Sequence, residues 1–142
     1  MFTLAKFKPE ELQSSIIDRC NIVNEAITKE VQDQDIDHMV GKLNKLSSLT
    51  GTMATCVADA KRLLRHKQLE VLEANTEEMT PTKLNKIIET KCGDEESLEL
   101  YCDKLRSGLT GTIKSLVTMI SLWKTELQES SKGTIIQKHA RS

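Results

Sequence analysis

The chain has 142 residues and a formal net charge of −1, with 38% hydrophobic, 29% charged and 3% aromatic residues. That length fits one domain or one protomer of an assembly. The near-balanced charge gives no global field favouring DNA, RNA or anionic lipid, and Phe2, Phe7, Tyr101 and Trp123 are too few to fill a broad globular core. Thin seams between helices, lined by Leu, Ile, Val and Met, suit this composition better.

The opening MFTLAKFKPEE lacks the apolar run of a signal peptide, and no stretch approaches the roughly 18 apolar residues of a membrane span. Cys20, Cys56, Cys92 and Cys102 form no CxxC pair. These features predict a cytoplasmic protein without membrane contact and with four reduced thiols, three of them serving as small apolar residues in helices.

Both prolines sit where helices start. Pro9, followed by Glu10 and Glu11, opens a first helix over about 9–32, with Leu12, Ile16, Cys20, Val23, Ile27 and Val31 as one stripe. A break follows at 33–37, with Asp35 or Asp37 as the next cap. The second helix is expected to run over 36–74, near 58 Å at 1.5 Å per residue. It carries two neighbouring seams. Ile36, Val40, Leu43, Ser47, Thr50, Ala54, Val57, Lys61 and Leu64 form one, and Leu46, Leu49, Met53, Cys56, Ala60 and Leu63 the other. A helix with two seams touches at least two partners, so it belongs at the centre of a bundle and offers apolar face for self-association.

Thr80 and Pro81 open a short third helix with Leu84, Ile87 and Ile88 on one side, and Gly93 is expected to stop it. The fourth helix is predicted over 94–129, beginning with the acidic turn Asp94-Glu95-Glu96. Its seam is Leu98, Cys102, Leu105, Leu109, Thr112, Leu116, Met119 and Trp123, stepping by four and three. That spacing suits helices packed at about 20°. No segment alternates with period two. The expected fold is therefore all-α: a bundle of two long amphipathic helices, one moderate helix and one short connector, over residues 1–130, with 131–142 as a short basic flexible tail. Leu43, Leu49, Met53, Val57, Leu105, Leu109, Leu116 and Trp123 are the expected interface side chains.

Leu49-Thr50-Gly51-Thr52 recurs as Leu109-Thr110-Gly111-Thr112, with five identities in the fifteen positions from Leu49 and Leu109 onward. A glycine inside a helix costs about 1 kcal/mol relative to alanine, so Gly51 and Gly111 need a reason. Either two helices approach closely there, or Thr50, Thr52, Thr110 and Thr112 form a polar band that holds a small ligand between helices. The densest charge, Lys61-Arg62-Leu63-Leu64-Arg65-His66-Lys67, reads as a solvated face or as a contact through Lys61, Arg62 and Arg65 with a phosphate-bearing anion. Few aromatics accompany it, so support for nucleic acid is weak.

No phosphate-cradling loop, HExxH or Cys–His neighbourhood appears, and the three histidines are far apart. Catalytic residues, a metal and cofactors are not expected, and the chain reads as a non-enzyme. Residues 46–67, LSSLTGTMATCVADAKRLLRHK, resemble short helical accessory proteins of phages and prophages, in which a Leu/Ser/Ala-rich helix leads into Ala-Asp-Ala-Lys and a basic end. The resemblance covers 22 of 142 residues and carries over no functional residue. It implies an intracellular setting in which small non-enzymatic proteins block, sequester or escort another molecule. The expected function is a non-catalytic, self-associating interaction protein that binds a host or phage protein. The alternatives are an oligomer sequestering a nucleotide-type ligand, and an accessory of DNA replication or recombination.

Overall fold

A computed structural model describes residues 7–31, 35–75 and 79–141, with side chains as far as residue 130. The helices are α1 (Pro9–Thr28), α2 (Ile36–Ser48), α3 (Thr50–Ala74), α4 (Pro81–Lys91) and α5 (Gly93–Arg141), and no strand occurs among the described residues. The fold is an all-α bundle.

Local chemistry sets most of the boundaries. Pro9 occupies the first turn of α1, with Glu10 and Glu11 beside the positive end of the helix dipole. At the other end, Lys42 of α2 donates from Nζ to the carbonyls of Ile27 (2.9 Å) and Lys29 (2.8 Å), so a cation from the next helix satisfies the C-terminus of α1. This helix ends at Thr28, short of the expected 32. Asp35 caps α2 by accepting from the His38 N–H at 3.1 Å, and Thr80 caps α4 by accepting from Lys83 N–H at 3.4 Å. Gly93 does not stop α4. Cys92 closes that helix, and Gly93 is the first residue of α5.

The expected second helix is bent into two arms, α2 and α3, which meet at Leu49. Leu49 keeps right-handed helical geometry (φ −87°, ψ −6°), but its N–H donates to Leu46 O at 3.1 Å, three residues back. Ser48 Oγ donates to Lys45 O (2.6 Å) and Thr50 Oγ1 to Leu46 O (3.5 Å). Hydroxyls that take up helix carbonyls in this way bend helices. The run Ser47-Ser48-Leu49-Thr50 is therefore the cause, and Gly51 lies inside the first turn of α3. Leu46, Leu49 and Met53 are all buried, so one apolar seam passes through the bend.

Contacts along the helices fix their directions. Phe7 meets His66, Arg19 meets Asp59, and Lys42 meets the end of α1, so α1 runs antiparallel to the bent pair. Cys20 lies on Cys102, and Glu10 and Glu95 line one groove, so α1 runs parallel to α5. The bundle is thus three helical rods, α1, the bent α2–α3 and α5. Helix α4 packs on α3 and α5 with Leu84, Ile87 and Ile88 half-buried.

The core is Ile16, Cys20, Val23, Met39, Leu46, Leu49, Met53, Cys56, Val57, Ala60, Leu63, Cys102, Leu105, Leu109, Leu116 and Ile120, and among the described residues no polar or charged residue is buried. Leu43 and Trp123 pack half-buried against it. The eight expected interface side chains thus all lie in or against the core of a single chain. One expected seam position differs. Met119 is 36% exposed, and Ile120, at 6%, takes its place. A straight helix turns away from a strict seven-residue repeat by about 20° per heptad, so three heptads past Leu98 the seam has moved on by one residue.

The helix α5 continues through 131–141, the stretch expected to be a flexible tail. Its 49 residues extend about 73 Å at 1.5 Å per residue.

The seam assignment is tested by urea unfolding. Leu109→Ala, Leu116→Ala and Ile120→Ala should each destabilise by about 2–5 kcal/mol, and Met119→Ala by less than about 1 kcal/mol. A larger loss at Met119 than at Ile120 would restore the strict heptad register.

Candidate functional site

Cys56 and Cys102 both lie beside Cys20 of α1 in the core, so they sit at about one level of the antiparallel α3 and α5. Seven residues along from each, Leu49 and Leu109 are also about level. The two Leu-Thr-Gly-Thr motifs are therefore neighbours on antiparallel helices, with both leucines buried in the shared seam.

The threonines beside them are turned to their own helices. Thr110 Oγ1 donates to Arg106 O at 3.0 Å, Thr112 Oγ1 to Gly108 O at 2.8 Å and Thr50 Oγ1 to Leu46 O at 3.5 Å. Thr50 and Thr110 are exposed, and Thr52 and Thr112 are half-buried. Nor do the glycines mark a tight approach within the chain. A Cβ built on Gly51 or Gly111 meets nothing within 4 Å. A shallow furrow of about 530 Å³ beside Thr110 and Gly111 is lined by Asp103, Arg106, Ser107 and Lys114. All its walls come from α5.

The basic turn of α3 is partly engaged inside the chain. The Arg62 guanidinium lies 4.5 Å above the Phe7 ring, a cation–π contact, and the His66 ring centroid is 4.6 Å from that of Phe7. Glu70 approaches His66 Nδ1 at 3.7 Å and Lys67 Nζ at 3.9 Å. Lys61 and Arg65 are exposed. Lys61 stands nine residues from Thr52, about 14 Å along the helix axis, so the hydroxyl band and the basic turn are separate places on the surface.

Two features escaped the sequence reading because they join distant residues. The first is a polar link from α1 to α3. Arg19 Nη2 meets Asp59 Oδ2 at 2.7 Å, Nη1 donates to Thr55 Oγ1 at 2.9 Å, and Nε donates to Ser15 O at 3.2 Å. Burial alone would lower the Arg19 pKa, but the Asp59 hydrogen bond and neighbouring charges outweigh it, so the net direction is upward and the guanidinium stays charged. The second is a tier of thiols. Cys20, Cys56 and Cys102 come from three helices, all are buried, and Cys20 Sγ lies 3.6 Å from Cys102 Sγ. Burial pushes Cys20 up to about 12 and Cys56 up to about 11, and it raises Cys102 and Cys92. All four are protonated thiols at neutral pH.

An open groove of about 590 Å³ lies between α1 and α2, with Ile22, Ala26, Val31 and Gly41 beside charges of both signs. Among the described residues, no group of three His, Cys, Asp or Glu is arranged to hold a metal ion, and no helix is long and apolar enough to cross a membrane.

No protein-family model, curated protein or solved structure matches this chain.

The open glycines give a direct expectation. With room for a methyl group on each, Gly51→Ala and Gly111→Ala should each stabilise the fold by about 0.5–1 kcal/mol in urea unfolding. A loss at either position would reveal a close approach that the geometry does not contain. Thr112→Val, which removes only a bond to its own helix, should change stability by no more than about 0.5 kcal/mol.

Proposed function

We propose that this chain is a non-catalytic helical interaction protein and that its working surface is the part of α5 that carries apolar side chains beyond the core. The supporting observation is at 117–127. Leu109, Leu116, Ile120, Trp123 and Leu127 recur at helical spacing on one side of α5, yet Leu127 is 56% exposed while Leu109 and Leu116 are buried. On the flanks, Val117 is 48% and Met119 36% exposed, and Leu122, farther round the helix, is 59% exposed. A single exposed leucine is ordinary on any surface. Val117, Met119, Leu122 and Leu127 put four exposed large apolar residues within eleven positions of one helix, spread over several of its sides, and exposed apolar surface of this extent marks a protein contact.

The chemistry of the patch asks for another apolar helix, laid along α5 so that the seam continues past Trp123. A second copy of this chain supplies such a helix, and so does a partner protein. The resemblance of residues 46–67 to phage and prophage accessory proteins supports placing that partner among host or phage proteins. Sequestration of a small anionic ligand is a second reading, supported by the exposed Lys61 and Arg65 and by Arg106 and Lys114 at the furrow beside Thr110. Calorimetry against linear and cyclic nucleotides tests it. Binding that weakens in Lys61→Ala/Arg65→Ala and with added salt would favour that reading over protein contact.

Self-association is tested by sedimentation. The parent should exceed the 16.0 kDa of one chain at micromolar concentration, and Leu122→Lys with Leu127→Lys should return it to the monomer mass with little change in unfolding midpoint. A parent that stays monomeric at every concentration would exclude the second copy. Loss of fold in the double variant would place these side chains in the core and contradict the surface described here.

A further inference from the structure

Cys20 and Cys102 are 82 positions apart in sequence, and their sulfurs are 3.6 Å apart in the core between α1 and α5. A disulfide has its sulfurs about 2.05 Å apart, so closing the pair requires an approach of about 1.5 Å. Both residues lie within continuous helix, on neighbouring helices that run in the same direction. Cys56 of α3 lies against Cys20 and completes a set of three thiols, each at most 1% exposed.

We propose that Cys20 and Cys102 are an oxidisable pair whose bridge latches α1 onto α5. With a peroxide as oxidant, one thiolate attacks the peroxide oxygen and becomes a sulfenic acid, releasing hydroxide that takes up the thiol's proton as water. The second thiol then displaces the sulfenic oxygen as water and forms the S–S bond. Two thiols and one peroxide give one disulfide and two waters, and two electrons pass from sulfur to oxygen. A dithiol reductant reverses the step. Cys56 remains beside the new bridge, and its attack on Cys20 would transfer the bridge to α1–α3 and release Cys102.

The surroundings make the latch slow. The attacking species is the thiolate, which burial makes scarce at neutral pH, and the sulfurs meet oxidant only when α1 loosens. The bridge therefore forms over prolonged oxidation rather than as a rapid signal, and its rate should rise with pH between pH 7 and 9. Once formed, it closes a long loop in the unfolded chain and raises the unfolding temperature.

The experiment uses the full chain, treated with hydrogen peroxide, with alkylation of remaining thiols after unfolding and mass mapping of peptides. The expected result is a single covalent chain lacking two hydrogens, with the Cys20 and Cys102 peptides joined and Cys92 free. Its melting temperature should rise by about 5–15 °C and return to the starting value after reduction. Cys20→Ser, which removes the sulfur common to both bridges, should abolish the shift, Cys102→Ser should leave only a Cys20–Cys56 bridge to form, and Cys92→Ser should keep the shift. Four free thiols after prolonged oxidation at pH 9 would overturn the proposal. So would bridges only between chains, or an internal bridge that leaves the melting temperature unchanged.

Discussion

Along α5, Cys102, Leu105, Leu109, Leu116 and Ile120 bury their side chains against the bent pair α2–α3 and against α1, and among the described residues no charged or polar residue is buried with them. A fully buried aliphatic side chain contributes roughly 1.5–3 kcal/mol relative to exposure, and this seam is where such side chains from all three rods meet. The remaining features follow from keeping it continuous. Three cysteines and Ala60 occupy positions where rods converge, because small side chains let three helices share one level. Arg19 reaches Asp59 and Thr55 at the margin of that level, so the charges remain partly solvated while joining α1 to α3.

The bend at Leu49 belongs to the same constraint. Two straight helices as long as 36–74 and α5 would diverge unless they supercoiled, since 3.6 residues per turn does not match a repeat of 3.5. Here the α2–α3 rod changes direction where Ser48 and Thr50 hold carbonyls of the preceding turn, and α5 shifts its seam from Met119 to Ile120. Both adjustments keep apolar side chains facing inward. Past Trp123 no such compensation appears, and Leu127 continues the stripe into solvent.

Helix existence, type and core-facing side were legible because the stripes on α1, α3 and α5 repeat at helical spacing, Pro9 and Thr80 carry start signals, and the second start lay at Asp35 or Asp37. The bend was hidden because hydroxyl residues inside a helix are common, and only their bonds to Lys45 and Leu46 carbonyls show that they act together. Met119 was misplaced because a heptad count agrees with an undistorted helix for two turns and departs from it by six. The Thr-Gly echo was legible as a pattern, but its physical meaning depended on where the threonines point, and the sequence contains no record of rotamers. The Cys20–Cys102 contact and the Arg19–Asp59 pair were out of reach for a simpler reason. They join residues 82 and 40 positions apart, and without the pairing direction of the helices no spacing rule connects them.

Backbone amide exchange under native conditions tests most directly whether α1, α3 and α5 form one cooperative core. If they do, the most protected amides at 16–23, 53–63 and 102–116 open with a single common free energy, equal to that of global unfolding. Exchange at 16–23 through an opening several kcal/mol less costly than that at 102–116 would contradict the account, because α1 would then be an appendage resting on a two-rod core.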